Sequence, residues 1–206
     1  MEIIKKVMIF DLNDTLINTI YTAFKRNEYC FERMEIKGPT LKEFESVFGG
    51  DFPQCIGKWL PQDRVEEFYD IYPASRQTIR YQAFCDLTAL FNKMKKEGKK
   101  LVILTNTSVE QFKKKANDIQ LDIQMIDLIL CNAKKPDINA LTKVQEYFGV
   151  NKKDMLLIGD DLLDFQMART FDINYLAVLT GLVDRQMFLQ QGISNQLIIE
   201  SVNELL

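Results

Sequence analysis

Four apolar runs of the chain end in short polar segments whose residue types could bind a cation and a phosphoryl group. These segments span residues 11–15, 105–107, 134–137 and 159–164. Because the carboxyl ends of parallel strands converge on one crevice, polar residues that follow such runs are expected to meet there. Each segment alone is equally well explained as the N-cap of the following helix. The prediction therefore depends on the four occurring together.

The combined residue types predict a Mg²⁺ site beside a phosphoryl-binding site. A carboxylate such as Asp11 can attack a phosphoryl dianion only if a cation reduces the repulsion between them. Asp160 and Asp164 are the predicted holders of that metal, because carboxylate oxygens are preferred Mg²⁺ ligands. We expect Lys135 to pair with the phosphate and keep the nucleophile ionised, and the Thr105 hydroxyl to bind a phosphoryl oxygen.

The absence of histidine from the 206 residues narrows the chemistry that this chain can perform. Ser-His-Asp and Cys-His catalysis and histidine-ligated zinc all require an imidazole. Acid–base catalysis must therefore come from carboxylates, lysine, tyrosine or water.

Composition and charge exclude several kinds of partner. The formal net charge is −3 and no dense basic cluster occurs, so no nucleic-acid partner is expected. The lysine-rich stretches 93–100 and 113–115 follow helical periodicity and are interpreted as solvated faces. No apolar run approaches the roughly 18 residues of a membrane helix, and charged residues come too early for a signal peptide. We expect a cytoplasmic protein with no membrane partner, as a monomer or homodimer.

The pattern of apolar runs predicts an α/β fold with a doubly wound, Rossmann-like parallel sheet. Short runs of consecutive apolar residues, typical of strands covered on both faces, alternate with stretches of helical period. The predicted strands are residues 6–11, 100–105, 128–131, 155–160 and 175–179. The predicted helices between them are residues 86–96, 109–119, 138–148 and 163–170.

A segment after the first strand departs from this alternation and predicts a helical insertion. It contains helical patterns interrupted by glycine and proline, without a buried-strand run. The predicted division is therefore an α/β core of residues 1–17 plus 81–206, with a helical cap of residues 18–80. Most aromatic residues of the insertion are expected to form its core. They include Tyr21, Phe24, Phe31, Phe44, Phe48, Trp59, Phe68 and Tyr69.

The four polar segments together resemble the motifs of the haloacid dehalogenase-like hydrolase superfamily. In chain order they are FDLNDTL, ILTNTS, KKPD and LIGDDLLD. The helical insertion directly after the first motif is similar to that of the phosphoglycolate-phosphatase and β-phosphoglucomutase type. This resemblance covers nearly the whole chain.

The resemblance implies a role for each matching residue. Asp11 would be the nucleophile that forms an aspartyl-phosphate, and it would bind Mg²⁺ together with Asp160 and the main-chain carbonyl of Asn13. Asp164 would support the metal shell. In the second and third motifs, Thr105 and Asn106 would hold the phosphoryl group and Lys135 would orient it.

Position 13 departs from the pattern of the family, in which a second aspartate is usual. That aspartate protonates the leaving oxygen and then deprotonates the attacking water, whereas the amide of Asn13 does neither near pH 7. Slow turnover, or restriction to good leaving groups, is therefore expected. Asn13 is either the natural residue or an engineered replacement of the catalytic aspartate, since both have the same sequence. Asp14, where glycine is usual, is a possible substitute carboxyl, and participation of Asp14 or Asp161 stays open.

Three functions are compatible with these residues. The first is a Mg²⁺-dependent phosphatase or phosphotransferase acting on a small phosphorylated metabolite through an aspartyl-phosphate. The second is a catalytically inactive phosphate-binding or regulatory protein, which Asn13 motivates. The third is a metal-independent haloacid dehalogenase, against which the retained Asp160 and Asp164 argue.

Overall fold

The computed structural model describes residues 6–49 and 56–206. The chain divides into two compact units, one comprising Met1–Asn18 with Ala83–Leu206 and the other comprising Thr19–Gln82. The insertion was predicted from residue 18 to residue 80, so its observed bounds differ by one or two positions. Within the described residues, no helix has the length and apolarity that crossing a membrane requires.

The first unit contains a six-stranded sheet in which every neighbouring pair is parallel. Its strands in chain order are β1 Val7–Phe10, β2 Lys100–Leu104, β3 Leu128–Leu130, β4 Met155–Gly159, β5 Asn174–Val178 and β6 Ile198–Ile199. Their spatial order is β3-β2-β1-β4-β5-β6. The sequence predicted the first five strands, whereas β6 is too short to produce a recognisable apolar run.

Five α-helices of the first unit connect these strands. They are α4 Leu87–Lys96, α5 Val109–Asp118, α6 Asn139–Phe148, α7 Leu162–Phe171 and α8 Arg185–Gln190. Alternate residues of β1 face opposite sides of the sheet. Ile9 belongs to an apolar cluster that includes Val144 of α6 and Met167 of α7. The Phe10 ring lies 5.7 Å from the Phe91 ring of α4. Helices therefore cover both faces, and the predicted doubly wound α/β fold is confirmed.

The register of the sheet aligns the ends of its central strands. Phe10 of β1 lies opposite Ile103 of β2 and opposite Ile158 of β4. The strand order reverses between β1 and β4, because the chain moves outward from β1 in one direction and from β4 in the other. Such a switch point opens a crevice at the carboxyl ends of the strands.

The second unit is helical and has its own apolar core. Its α-helices are α1 Thr19–Arg33, α2 Leu41–Glu45 and α3 Val65–Thr78. The rings of Phe31 on α1 and Phe68 on α3 lie 5.7 Å apart. Six of the eight aromatic residues predicted for this core lie in or against it: Phe24, Phe31, Phe44, Phe48, Trp59 and Phe68. The prediction was wrong for Tyr21 and Tyr69, which are 44% and 45% exposed because they lie on outward faces of their helices.

Replacing Phe91 by alanine tests whether its packing holds the sheet and α4 together. Phe91 is fully buried against Phe10, which directly precedes the first polar segment. We expect Phe91→Ala to lower the free energy of unfolding by about 3–5 kcal/mol, measured by urea denaturation. Tyr147→Ala is the control, since Tyr147 is 64% exposed, and should change stability by about 0.5 kcal/mol or less. Equal losses of stability in Phe91→Ala and Tyr147→Ala would contradict a role for Phe91 in holding the sheet and α4 together.

Candidate active site

Three of the predicted site residues converge at the carboxyl end of the sheet. Asp11 follows β1, Asp160 follows β4, and Asp164 lies in the first turn of α7. One carboxylate oxygen from each of the three lies within 4.8 Å of the others. The three residues are nearly inaccessible to solvent, with relative exposures of 6%, 7% and 0%. The structure therefore concentrates three buried acids at one point.

Lys135 is the cation of this cluster. Its Nζ lies 2.5 Å from Asp11 Oδ1 and 2.7 Å from Asp164 Oδ1, and its side chain is 4% exposed. The loop that carries it is attached to the second motif, because the Lys135 backbone N–H donates to Asn106 Oδ1 at 2.8 Å. Asn106 thus positions the lysine loop through its side-chain oxygen.

The cluster has more buried negative charge than Lys135 can neutralise. Burial raises the pKa of Asp160 and Asp164 well above the ordinary value, and the neighbouring carboxylate of Asp11 raises both further. Burial also raises the pKa of Asp11, although Lys135 opposes this. Burial alone would lower the pKa of Lys135, but the carboxylates of Asp11 and Asp164 outweigh it and the pKa is raised. Lysine therefore stays charged, while the three acids repel one another.

Asp164 has a carboxylate oxygen that the described residues leave without a hydrogen bond. Its Oδ2 is fully buried and accepts from no donor in that part of the chain. A buried anionic oxygen without a donor is unfavourable unless a cation is nearby. Together with the excess of negative charge, this oxygen-rich cluster has the donor set that a hard divalent cation prefers.

Two glycines allow this close approach. A Cβ atom at Gly159 would lie 2.5 Å from Asp164 Cγ, and a Cβ atom at Gly181 would lie 2.0 Å from Asp160 Oδ2. Both distances are far shorter than van der Waals contact. Sequence reasoning missed these constraints, because the residue types do not reveal which side chain approaches a given glycine in the fold.

The turn between β4 and α7 is fixed by polar contacts. Thr15 Oγ1 donates to Asp160 Oδ1 at 2.7 Å. The Tyr175 hydroxyl lies 2.8 Å from the carbonyl oxygen of Gly159 and 3.1 Å from that of Asp161. Asp161 caps α7, since its Oδ1 accepts from the Asp164 backbone N–H at 2.9 Å. The structure thus places Asp161 as a helix cap beside the cluster.

Asn13 lies in a chain of hydrogen bonds that leads to Thr105. Its Nδ2 donates to Thr107 Oγ1 at 3.0 Å, and the Thr107 backbone N–H donates to Thr105 Oγ1 at 3.1 Å. On its other side, Asn13 Oδ1 accepts from Lys115 Nζ at 2.5 Å. Sequence reasoning missed Thr107, although it lies within the ILTNTS motif. The interpretation of Lys115 as part of a solvated face was wrong, because this half-buried residue of α5 contacts the first motif.

Asp14 adopts a left-handed backbone conformation. Its φ angle is 52°, in the left-handed region that glycine adopts freely and aspartate tolerates. Its carbonyl oxygen accepts from Thr180 Oγ1 at 2.5 Å. Its buried carboxylate adds to the negative charge that raises the pKa of Asp160. Asp14 therefore contributes charge near the cluster.

Comparison with known proteins places these features in a family. Residues 8–178 match the haloacid dehalogenase-like hydrolase family. A candidate pyrophosphatase of Clostridium perfringens, PpaX, is 24% identical over 184 residues, which cover 84% of this chain and 86% of that protein. The fold is similar to those of two solved structures with low sequence identity.

A candidate β-phosphoglucomutase from Thermotoga maritima is 16% identical with a TM-score of 0.78, covering 97% of this chain and 96% of that one. A candidate phosphoglycolate phosphatase from Lactobacillus delbrueckii is 18% identical with a TM-score of 0.69, covering 97% and 95%. These likenesses establish a shared fold over nearly the full length. Since the family match spans most of the chain and all four motifs, this protein belongs to the haloacid dehalogenase-like hydrolase family.

Proposed function

We propose that this protein is a Mg²⁺-dependent phosphatase that hydrolyses a small phosphorylated metabolite through an aspartyl-phosphate on Asp11. The observation that carries the proposal is the buried cluster of Asp11, Asp160 and Asp164 around Lys135. Three acids and one lysine give this crevice a net negative charge, which disfavours a phosphate unless a cation binds first. The proposed enzyme is a monomer or homodimer with a small-molecule substrate and no nucleic-acid or membrane partner.

The proposed Mg²⁺ ligands are Asp11, Asp160 and the main-chain carbonyl of Asn13, with Asp164 supporting them. The unsatisfied Oδ2 of Asp164 and the raised pKa values of Asp160 and Asp164 support this assignment, because each reflects uncompensated negative charge. When bound, the metal ion would reduce repulsion between the nucleophile and the phosphoryl group and polarise the latter.

Other side chains would position the nucleophile and bind the phosphoryl group. Lys135 holds the Asp11 carboxylate in place and would also contact a phosphoryl oxygen. Thr105 and Asn106 would bind further phosphoryl oxygens. Attack by an Asp11 oxygen forms a bond to phosphorus while the bond to the leaving oxygen breaks. Water then attacks phosphorus, releases phosphate and regenerates Asp11.

Asn13 limits the rate of such a reaction. Its amide oxygen accepts from Lys115 and its amide nitrogen donates to Thr107, but a carboxamide acts neither as an acid nor as a base near neutral pH. General acid–base catalysis is typically worth about 10²–10⁴-fold. Phosphate binding without turnover is therefore the alternative function that Asn13 favours. A metal-independent dehalogenase is disfavoured, because it would have no use for the buried acids at positions 160 and 164.

The first prediction of this proposal concerns hydrolysis of p-nitrophenyl phosphate. The parent protein should show slow activity that requires Mg²⁺ and is lost in Asp11→Asn. Asn13→Asp should raise kcat by about 10²-fold, because it restores a group able to transfer protons. The rate of p-nitrophenolate release, with Mg²⁺ or with EDTA, is measured for the parent, Asp11→Asn and Asn13→Asp. Activity that persists in Asp11→Asn would disprove the assigned nucleophile, and inert protein revived by Asn13→Asp would favour the binding function.

A second prediction concerns the stability of the metal-free protein. Asp160→Asn removes one of the mutually repelling charges and should raise the free energy of unfolding by about 1 kcal/mol, or Tm by about 2–4 °C. The same variant should lose the stabilisation by Mg²⁺, which in the parent reaches about 2.7 kcal/mol at a concentration 100 times Kd. Thermal unfolding with Mg²⁺ or EDTA measures both effects.

The matched control for this variant is Asp70→Asn, which neutralises an exposed carboxylate of α3. It should alter Tm little and leave the response to Mg²⁺ intact. A lower Tm in metal-free Asp160→Asn, combined with an undiminished response to Mg²⁺, would rule out Asp160 as a metal ligand.

A third prediction concerns Gly181. A methyl group there would displace the Asp160 carboxylate, since its Cβ would lie 2.0 Å from Oδ2. Gly181→Ala should therefore weaken Mg²⁺ binding about 10-fold or more, measured by calorimetry on the folded protein. Gly149→Ala is the control for general destabilisation, because Gly149 has a φ of 61° and open space around its Cα. Equal Mg²⁺ affinities of the two variants would refute the steric argument.

A further inference from the structure

We propose that Lys115 is the cation that stabilises the leaving group, and that the preferred substrate is a phosphoric anhydride, from which the leaving group departs as a phosphate anion. This inference rests on the proposed function and specifies its substrate class. The observation behind it is the contact of Lys115 Nζ with Asn13 Oδ1 at 2.5 Å.

Lys115 differs from the lysines that precede it. Lys113 and Lys114 are exposed on α5, and Lys114 forms a surface ion pair with Glu110 at 2.7 Å. Lys115 is half-buried and extends to a residue 102 positions away in sequence. One lysine of the run is therefore directed at the first motif, while its neighbours stay at the surface.

Asn13 connects Lys115 to the proposed phosphoryl site. Leu12 is completely buried, and the residues on either side of it are Asp11 and Asn13. Asn13 is thus two positions along the chain from the proposed nucleophile. The Asn13 amide is also joined through Thr107 to the Thr105 hydroxyl. The Lys115 ammonium therefore contacts a side chain that is linked by hydrogen bonds to the Thr105 hydroxyl.

The chemistry of the two side chains distinguishes between leaving groups. An alkoxide leaving from a phosphate monoester requires a proton, which the amide of Asn13 cannot give. A phosphate leaving from an anhydride is a stable anion at neutral pH and requires none. It does carry concentrated negative charge, and a permanent ammonium stabilises such charge through charge-assisted hydrogen bonds. Lys115 beside Asn13 therefore favours anhydrides over alkyl esters.

The step is balanced with inorganic pyrophosphate as the substrate. An Asp11 carboxylate oxygen bonds to one phosphorus, the bond from that phosphorus to the bridging oxygen breaks, and the electron pair leaves with the bridging oxygen as phosphate. Water then bonds to the phosphorus of the aspartyl-phosphate, the bond to Asp11 breaks, and both protons of the water stay on the second phosphate. The sum is one pyrophosphate and one water giving two phosphates.

The test measures kcat/KM for the parent, Lys115→Met, Lys115→Arg and the control Lys113→Met. Each protein is assayed with Mg²⁺ on three substrates: pyrophosphate, p-nitrophenyl phosphate and glycerol 2-phosphate. The parent should prefer pyrophosphate to glycerol 2-phosphate by about 10²-fold or more. Lys115→Met should lower kcat/KM for pyrophosphate about 10–100-fold. The same variant should lower kcat/KM for p-nitrophenyl phosphate only about 3-fold or less, because the charge of the nitrophenolate leaving group is delocalised. Lys115→Arg should restore most of the pyrophosphate activity, and Lys113→Met should match the parent.

A binding measurement keeps the inference separate from the proposed function. Imidodiphosphate, which resists cleavage, should bind the Mg²⁺-loaded parent at least about 10-fold more tightly than Lys115→Met, while inorganic phosphate should bind both equally. Equal loss of activity on pyrophosphate and p-nitrophenyl phosphate, or equal imidodiphosphate affinities, would overturn the role of Lys115. Absence of all hydrolysis, with a difference in imidodiphosphate affinity, would instead refute the proposed phosphatase and leave Lys115 as an anhydride-binding residue.

Discussion

The repulsion among three buried carboxylates is the constraint on which the rest of this structure depends. Asp11, Asp160 and Asp164 are almost completely excluded from solvent, and Lys135 is the lysine that pairs with two of them. Burying unpaired charge is strongly unfavourable in the absence of a compensating cation. A fold that keeps such a cluster must hold it by rigid packing. It thereby concentrates negative charge at the carboxyl end of the sheet.

The parallel sheet supplies that rigidity. β1 lies between β2 and β4, and every strand residue of β1 is buried. Asp11 and Asp160 follow directly after neighbouring strands, so their backbone positions are fixed by the sheet register. Glycines at positions 159 and 181 then leave space beside the backbone for the carboxylates of Asp164 and Asp160. Any larger residue at these positions would displace the carboxylates. The geometry of the acids is consequently a property of the core, whereas the lysine reaches them from a loop.

The parts that sequence could predict are those with a local signal. Consecutive apolar residues predicted five strands, and the acids that follow two of them predicted the cluster. Strand β6 was not predicted, because its two residues are too few to form a recognisable apolar pattern. Tyr21 was wrongly predicted to be buried, because aromatic character alone does not reveal which helix face is buried. Lys115 could not be found, since helical periodicity is the same whether a lysine faces water or a residue 102 positions away.

The contact between Lys115 and Asn13 distinguishes position 13 from the neighbouring cluster of acids. The cluster around Asp11 contains the proposed metal ligands and nucleophile, whereas the amide at position 13 does not transfer a proton near neutral pH. An aspartate at position 13 would form an ion pair with Lys115, whose ammonium lies 2.5 Å from the present amide oxygen. Such a pair would favour the ionised carboxylate, which can take a proton from the attacking water but cannot give one to a leaving group. Asparagine instead presents a neutral amide oxygen to the ammonium at this contact. The combination of amide and ammonium therefore suits a leaving group that is itself an anion.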